Sequence, residues 1–334
     1  IKNNQLNFGT VDTWLLWNLT NRLVYATDVT NASRTLLFNI RSLKYDQELC
    51  KLFNIPIHLL PKVYSSSHNF GHYSFNDINI PITAIMGDQQ AALFAQCGRN
   101  RNQIKNTYGT GLFLMANTGS TIIESDELIT TIGIGVNNNV DYAIEGAVFT
   151  GGSLIQWLRD NLNIIDDPEI TESMARSIPD NGGVSIVPAL SGLGAPFWKP
   201  NCTGIISGLK RTTTKYHIVR AALEAIAYQT NDILLSIIKH CPLSSFDCLM
   251  VDGGAASNDW LMQFQSDISN ITIKRPTNVE STALGVALCS ALISNPSIDY
   301  SISINSKFSP LMSHSDRNDL IDAWNHSLNL VLNQ

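Results

Sequence analysis

The chain has 334 residues, of which 44% are hydrophobic, so it can bury a core of one large domain or two ordinary ones. Its net charge is -6 and its lysines and arginines are scattered, which excludes a basic stripe that could follow a nucleic-acid backbone. No apolar run approaches the roughly 20 residues of a membrane-spanning helix, and Ile1-Lys2-Asn3-Asn4 does not begin a signal peptide. These features predict a cytoplasmic globular protein with no nucleic-acid partner and no membrane segment.

The six cysteines form no Cys-x-x-Cys pair and no close cluster with the seven histidines. Zinc sites and disulfide frameworks in small secreted domains need such spacings. The pattern therefore predicts buried, reduced thiols.

Short mixed elements are predicted for the first part of the chain. The apolar periodicity indicates a helix over residues 11–19 and another over 41–53, while residues 28–39 read as a polar turn followed by an apolar strand. The serine-rich stretch 65–71 is typical of a loop.

An apolar run at residues 80–86 predicts a strand covered on both faces, and it leads directly into Gly87-Asp88 and a helix over 91–97. Open α/β folds bind their ligands beyond the carboxyl ends of strands, which is where this pattern places Asp88. Aspartate is also a favoured helix N-cap, so an ordinary capping role is an equal and compatible interpretation.

A short polar stretch at residues 98–103 is a candidate domain boundary. Four strand-like segments follow it and predict an antiparallel meander, with Asn137-Asn138-Asn139 as a turn. These segments are residues 104–108, 112–116, 129–136 and 142–148.

Helices then alternate with strands. The periodicity predicts a long helix over residues 214–240, a short strand over 249–251, and a helix from about Asn258. A helix rich in alanine and glycine, suited to close packing, is predicted over 280–293, and a last helix over 320–332.

Two glycine-rich turns, Gly109-Thr110-Gly111 and Asp252-Gly253-Gly254, can bring backbone N–H groups close to an anion. Taken alone, each is more typical of a plain turn. Gly152 and Gln156 open a third strand-to-helix segment, for which simple packing is the alternative. None fits the dinucleotide fingerprint or the P-loop, which argues against hydride transfer and Walker-type hydrolysis.

Three ordered strings distinguish the chain: Gly87-Asp88-Gln89-Gln90-Ala91-Ala92-Leu93-Phe94, Lys105-Asn106-Thr107-Tyr108-Gly109-Thr110-Gly111 and Ile144-Glu145-Gly146-Ala147-Val148. With them the chain closely resembles the FGGY carbohydrate kinases, in particular the members that phosphorylate glycerol. Further matching strings begin at Gly9, Thr30, Gly192, Gly204, Val251 and Glu280.

The resemblance implies an α/β fold of the actin-like, ribonuclease-H-like ATPase class, with two domains flanking a cleft. Residues 1–97 would form the C-terminal part of the first domain and residues 98–334 the second. The implied reaction is transfer of the ATP γ-phosphoryl group to glycerol with Mg²⁺ as cofactor. The expected small-molecule partners are glycerol, ATP and ADP, and the resemblance leaves a homo-oligomer open.

Residue by residue, the resemblance makes Asp88 the general base that takes the proton of the attacking hydroxyl and lies near Mg²⁺. Gln89 and Phe113 match residues that contact glycerol. The positions that match nucleotide contacts are Thr110 for the β- and γ-phosphates, Gly152 and Gln156, and Gly254 and Asn258 at the adenosine end.

The chain also departs from the family. The N-terminal Asp-x-Gly-Thr phosphate hairpin, and the Arg-Glu pair, tryptophan and tyrosine that complete the glycerol pocket, are not found in it. We therefore expect a first domain truncated at its N-terminus and no glycerol phosphorylation by this polypeptide alone. The loop before Pro81 lacks the arginine with which bacterial members bind fructose 1,6-bisphosphate, so regulation by that sugar is not expected.

Three alternatives stay open at this point. An FGGY kinase for a pentulose or gluconate is the nearest, although the Asp88-Gln89-Gln90 run and Phe113 favour glycerol. A non-catalytic nucleotide-binding remnant is the second, and a hydride-transfer enzyme is the most remote.

Overall fold

The computed structural model describes residues 6–98, 100, 103–136, 139–241, 246–278, 280–298 and 301–334. In these residues the chain forms an α/β fold around one seven-stranded mixed sheet, with four two-stranded sheets. None of the described helices is long and apolar enough to cross a membrane.

The helices that lie in the described residues are α1 (Val11–Leu19), α2 (Val29–Ala32), α3 (Gln47–Leu52), α4 (Asp88–Cys97), α5 (Gly152–Asp160), α6 (Ile170–Arg176), α7 (Lys215–His240), α8 (Asp259–Ser269), α9 (Ser281–Ser294) and α10 (His314–Leu332). The predicted helices over 11–19, 91–97, 214–240, 280–293 and 320–332 are confirmed, most with ends shifted by a few residues.

The strands of the described residues are β1 (Ala26–Asp28), β2 (Phe38–Asn39), β3 (Lys44–Tyr45), β4 (Lys62–Tyr64), β5 (His72–Phe75), β6 (Ile78–Pro81), β7 (Gln103–Tyr108), β8 (Leu112–Gly119), β9 (Ile129–Val136), β10 (Asn139–Val148), β11 (Ser185–Val187), β12 (Ile205–Ser207), β13 (Cys248–Asp252), β14 (Thr272–Pro276) and β15 (Ile304–Phe308).

The large sheet has the strand order β15-β14-β13-β7-β8-β10-β9. β13 runs parallel to both β7 and β14, and the other neighbours are antiparallel. The predicted meander is therefore wrong in order, because β10 lies between β8 and β9. The connection from β8 to β9 is not a tight turn, so β9 can pass to the outside. Asn137 and Asn138 of the predicted turn lie outside the described residues, as do residues 1–4.

Two predictions for residues 28–53 need correction. The helix predicted over 41–53 begins only at Gln47, because the Asp46 carboxylate accepts the N–H groups of Glu48 and Leu49 at 2.9 and 3.1 Å and caps it there. The strand predicted in 28–39 is only β2, since Asp28 caps the short helix α2 instead.

The strand predicted over residues 80–86 is also wrong. β6 ends at Pro81, which has no N–H to donate, and its residues are exposed. Beyond it the chain stays extended and pairs irregularly with the loop 66–71: the Ile82 N–H donates to the Gly71 carbonyl at 2.8 Å and the Ile85 N–H to the Ser66 carbonyl at 3.0 Å. A loop as partner does not support a regular ladder.

The two faces of the large sheet are covered by different elements. Leu114 and Ala116 on one face belong to the main core, which includes much of α7. Met115, which points to the opposite face, packs with Leu93 and Cys97 of α4. Five of the six cysteines are buried and all six are free, which confirms the predicted reduced thiols.

Helix α4 is held against the sheet by α9. A Cβ atom added at Gly285 of α9 would lie 1.9 Å from the carbonyl oxygen of Ala91 in α4. The two helices therefore cross at a distance that only glycine permits, as the composition of residues 280–293 predicts.

Gly285→Ala is expected to lower the free energy of unfolding by about 1–3 kcal/mol, because the added methyl group must push the α4 backbone aside. Urea unfolding followed by circular dichroism measures the change. Gly254→Ala is the matched control, since a Cβ there meets nothing within 4 Å. Equal stability of the two variants would contradict the close crossing.

A titratable group joins α7 to α10. Trp324 Nε1 of α10 donates a hydrogen bond of 2.9 Å to Asp232 Oδ2 of α7. Burial raises the pKa of Asp232 to about 7, against an unperturbed value of about 3.9. The folded protein therefore binds a proton at Asp232 that the unfolded chain releases between these two values.

The Asp232 contribution to stability is thus greatest at acidic pH and is lost as pH rises through about 7. We expect a loss on the order of 2 kcal/mol, less than the full pKa difference implies, because Asp232 lines a cavity of about 500 Å³ that admits solvent. Asp232→Asn should remove this slope, so the stability of the variant relative to the wild type should rise steadily between pH 4 and pH 8. Parallel pH profiles in urea unfolding would contradict this assignment.

Candidate functional site

Two cavities border the large sheet. The first, which we call the Asp88 cavity, measures about 570 Å³ and lies at the start of α4. It brings together Asp88, Gln89 and Phe113, the three residues predicted to contact a polyol. Asp12, Arg34 and Glu145 are among its other lining residues.

Asp88 is the first residue of α4, and Gly87 is the N-cap. The Asp88 carboxylate is exposed to the cavity, and its Oδ1 accepts the N–H of Gln89 at 2.7 Å. The capping interpretation of Asp88 is therefore wrong, because its side chain does not cap the helix. The positive end of the helix dipole favours the ionised carboxylate at this position.

A buried network holds the turn that carries Asp88. The Gly87 N–H donates to Thr30 Oγ1 at 2.8 Å, and Thr30 Oγ1 donates to Asp28 Oδ2 at 2.6 Å. Asp28 is fully buried and also accepts from Ser66 Oγ at 2.6 Å and from the Asn31 N–H at 3.0 Å. Burial raises the pKa of Asp28, and these hydrogen bonds oppose the rise. No role for Asp28 follows from the sequence beyond that of a residue type favoured at helix N-caps.

Arg34 and Glu145 form a second feature that sequence analysis missed. The guanidinium donates two hydrogen bonds, of 2.9 and 3.2 Å, to the two carboxylate oxygens. Glu145 lies on β10 and only 2% of its side chain is exposed, so a charged partner is required. This pair joins the first part of the chain to the large sheet.

Lys105 is a further residue whose placement sequence analysis did not predict. It lies on β7 and is completely buried, and its Nζ donates to Gln89 Oε1 and, at 3.0 Å, to Thr107 Oγ1. Burial lowers the pKa of Lys105 to about 8, while nearby carboxylates oppose the change. A lysine in a strand is usually exposed, so the sequence does not indicate this placement.

The second cavity, which we call the glycine-loop cavity, measures about 580 Å³. All five positions predicted to contact a nucleotide line it, namely Thr110, Gly152, Gln156, Gly254 and Asn258. Thr110, Gln156 and Gly254 are exposed there.

Backbone hydrogen bonds join two of the glycine turns. The N–H groups of Gly151 and Gly152 each donate at 2.9 Å, to the carbonyls of Thr110 and Gly109. A Cβ at Gly152 would lie 2.7 Å from the Gly109 carbonyl oxygen, so the two turns approach as closely as bare backbone allows.

The third turn is tied to the same place. Gly253 has φ +87°, a conformation that favours glycine, and a Cβ there would lie 2.5 Å from the carbonyl oxygen of Tyr108. Gly254 faces open space, since an added Cβ would meet nothing within 4 Å. Three stretches of bare backbone thus line one cavity, an arrangement suited to phosphate groups.

Asn258 is the N-cap of α8: its Oδ1 accepts the Leu261 N–H at 2.9 Å, and its Nδ2 donates to Thr171 Oγ1 at 3.3 Å. The amide that sequence analysis assigns to a ligand is therefore also a structural group. Helices α5 and α8 both begin at this cavity, so the positive ends of their dipoles favour an anion there.

The described residues contain no cluster of three or more histidine, cysteine, aspartate or glutamate side chains that could hold a metal ion. Mg²⁺ usually keeps several waters and takes one or two carboxylates with substrate phosphates. Of the three carboxylates that line the Asp88 cavity, that of Asp88 is exposed, that of Asp12 is half-buried and that of Glu145 is buried. One exposed carboxylate is compatible with such a Mg²⁺ site and not with an all-protein metal cage.

Comparison with known proteins gives consistent matches along the chain. Residues 1–95 match the N-terminal domain of the FGGY family of carbohydrate kinases, and residues 104–293 match its C-terminal domain. Glycerol kinase 2 of Sulfolobus acidocaldarius is 45% identical over 333 residues, and glycerol kinase of Clostridium botulinum is 46% identical over 337 residues. Each match covers 98% of this chain and 67% of the relative.

Among solved structures, Plasmodium falciparum glycerol kinase with ADP superposes with a TM-score of 0.89 and 38% identity, covering 98% of this chain and 67% of that one. A ligand-bound xylulose kinase from Lactobacillus acidophilus superposes with a TM-score of 0.82 at 20% identity, covering 96% and 66%, which shows a shared fold alone. The chain therefore belongs to the FGGY family of carbohydrate kinases and contains matches to both of its domains.

Proposed function

We propose that this chain carries the general base and most of the nucleotide site of an ATP-dependent kinase that converts glycerol to glycerol 3-phosphate. The observation that carries the proposal is that the Asp88 cavity and the glycine-loop cavity both border the large sheet. Identity of 45–46% to glycerol kinases over nearly the whole chain favours glycerol as the acceptor.

The glycine-loop cavity would hold ATP or ADP. The backbone of Thr110 and Gly111, with the Thr110 hydroxyl, would bind the phosphates. Gly152, whose N–H donates to the Gly109 carbonyl, would line the nucleotide site with bare backbone, and Gly254 and Asn258 would contact the adenosine end. Positioning and charge stabilisation account for most of the rate in phosphoryl transfer, and preformed N–H donors provide both. The hydrogen bonds between the glycine turns support this role, because they fix the backbone around the cavity before a phosphate arrives.

The Asp88 cavity would hold glycerol. The Asp88 carboxylate would take the proton of the attacking hydroxyl, the Gln89 amide would hydrogen-bond a hydroxyl, and Phe113 would pack against the carbon chain. The exposure of the Asp88 carboxylate supports this role: Oδ1 accepts the Gln89 N–H, and no hydrogen bond to Oδ2 is formed within the described part of the chain.

Mg²⁺ is the cofactor that this reaction class implies, and it would neutralise charge on the phosphates when bound. Asp88 is the residue of this chain that would hold it, directly or through water. The absence of a larger acidic cluster in the described residues agrees with a metal bound mainly by phosphate and water.

Several finer predictions belong to this proposal and stay predictions. They are the actin-like, ribonuclease-H-like class of the fold, the division into residues 1–97 and 98–334 on either side of a cleft, the cytoplasmic location, and a homo-oligomeric state.

A pentulose or gluconate kinase of the same family is the nearest alternative. Xylulose and gluconate kinases share the fold at 20% identity, far below the glycerol kinases. A substrate panel separates them: faster phosphorylation of xylulose or gluconate than of glycerol would overturn the proposal. Loss of turnover with intact ADP binding in the full-length gene product would instead support a non-catalytic nucleotide-binding protein.

Asp88→Asn in the full-length gene product should lower turnover by about 10²–10⁴-fold, because the amide does not accept the hydroxyl proton. The ATP affinity should stay largely intact, since Asp88 lies in the other cavity. Steady-state kinetics with glycerol and calorimetric titration with ADP measure the two effects. Asp319→Asn, an exposed change on α10, is the control, and near-normal turnover of Asp88→Asn would refute the assignment.

Gln156→Ala should weaken ADP binding about 3–10-fold, the effect of one lost hydrogen bond, without a change in stability. The Gln156 side chain is exposed in the glycine-loop cavity, so its removal leaves the fold intact. Calorimetry on this chain provides the readout. Gln47→Ala, exposed on α3, is the matched control, and equal ADP affinities for the two variants would exclude Gln156 from the nucleotide site.

A further inference from the structure

We propose that Lys105 is a positioning residue for the polyol, which acts by fixing the orientation of the Gln89 amide so that its N–H₂ group faces the Asp88 cavity. This inference rests on the proposed function, because it assigns a cause to the way that Gln89 would meet a hydroxyl. Lys105 is not among the lining residues of either cavity, so it would affect substrate binding only through Gln89.

The contact geometry is the first argument. Lys105 is 0% exposed, and its Nζ lies against Gln89 Oε1 and Thr107 Oγ1. An ammonium group has three donors and no acceptor. Burying it without partners is costly, so Nζ must meet oxygen atoms in the folded protein.

The second argument follows from the chemistry of the amide. Glutamine carries an acceptor oxygen and a donor nitrogen that can exchange places by rotation. The ammonium of Lys105 cannot accept a hydrogen bond, so it favours the orientation in which the Gln89 side-chain oxygen faces it as the acceptor. The Gln89 nitrogen is then on the other side and is available to donate to a substrate oxygen in the cavity that Gln89 lines.

The third argument is the charge around Lys105. In the register of the sheet, Lys105 pairs with Met115, which pairs with Glu145, while Thr107 pairs with Asp252. Lys105 therefore lies on one sheet face between the carboxylates of Glu145 and Asp252. The Asp88 carboxylate of α4 also acts on it electrostatically, and Arg34 pairs with the Glu145 charge.

Asp252 strengthens this argument. Its side chain is 4% exposed, and its Oδ1 has no hydrogen-bond partner among the described residues. A buried carboxylate without a full set of donors favours a cation nearby. The ammonium state of Lys105, which the orientation of Gln89 requires, is therefore supported by the sheet itself.

The test compares Lys105→Met, Gln89→Ala and the double variant in the full-length gene product. Methionine keeps the length of the side chain but removes the ammonium. We expect Lys105→Met to raise KM for glycerol by about tenfold, the effect of a misoriented hydrogen bond, with KM for ATP changed less than twofold. Because Lys105 acts through Gln89, the double variant should have the same KM for glycerol as Gln89→Ala alone.

Lys105→Arg, which keeps a cationic donor, should recover part of the loss. Lys307→Met, an exposed lysine on edge strand β15 of the same sheet, is the matched control and should behave as the wild type. If Lys105→Met does not fold, as judged by circular dichroism and ADP binding, the same comparison is made with Lys105→Arg and its double variant with Gln89→Ala.

The outcomes separate the two proposals. A wild-type protein that does not phosphorylate glycerol would overturn the proposed function, and this inference with it. An active wild type whose Lys105 variants keep KM for glycerol within twofold, or whose double variant shows additive losses, would overturn the role of Lys105 alone.

Discussion

The burial of Lys105 and Glu145 on one face of the seven-stranded sheet is the constraint on which the Asp88 cavity depends. Both charges lie almost out of reach of water, and each needs a polar partner there. The partners come from the first part of the chain: Gln89 of α4 meets Lys105, and Arg34 meets Glu145. Satisfying these charges therefore fixes α4, and Asp88 with it, against the sheet.

Close backbone approach has the same function at the other cavity. Gly152 and Gly253 lie so close to the backbone at Gly109 and Tyr108 that neither position leaves room for a Cβ atom. The turns are therefore held together before any ligand arrives, and the same absence of side chains leaves room for it. The crossing of α4 and α9 at Gly285 follows this rule and secures the helix that carries Asp88.

The position of Asp88 also depends on groups that carry no chemistry themselves. Asp28 holds Thr30, and Thr30 accepts the N–H of Gly87 one residue before the carboxylate. Because Asp28 is wholly buried, water does not compete for its hydrogen bonds, and these bonds fix the backbone of the turn at Gly87 through Thr30. A residue 60 positions away along the chain thus sets the backbone at the proposed base.

The sequence by itself determined the features that depend on local order: the helix of α4 with Asp88 at its start, the long helix α7, the glycine turns, and the family that their order identifies. It predicted the residues of both cavities, because each lies in a string of neighbours that is recognisable without a structure. It failed where distant partners decide the outcome. The segment predicted as a strand over 80–86 pairs only with a loop, and β10 lies between β8 and β9. The N-cap of α4 is Gly87 and not Asp88. The sequence assigned no role to Lys105, Arg34 or Glu145 beyond their place in matching strings. Only the tertiary structure buries and pairs them, since the cost of desolvating a charge depends on neighbours that the sequence does not place together.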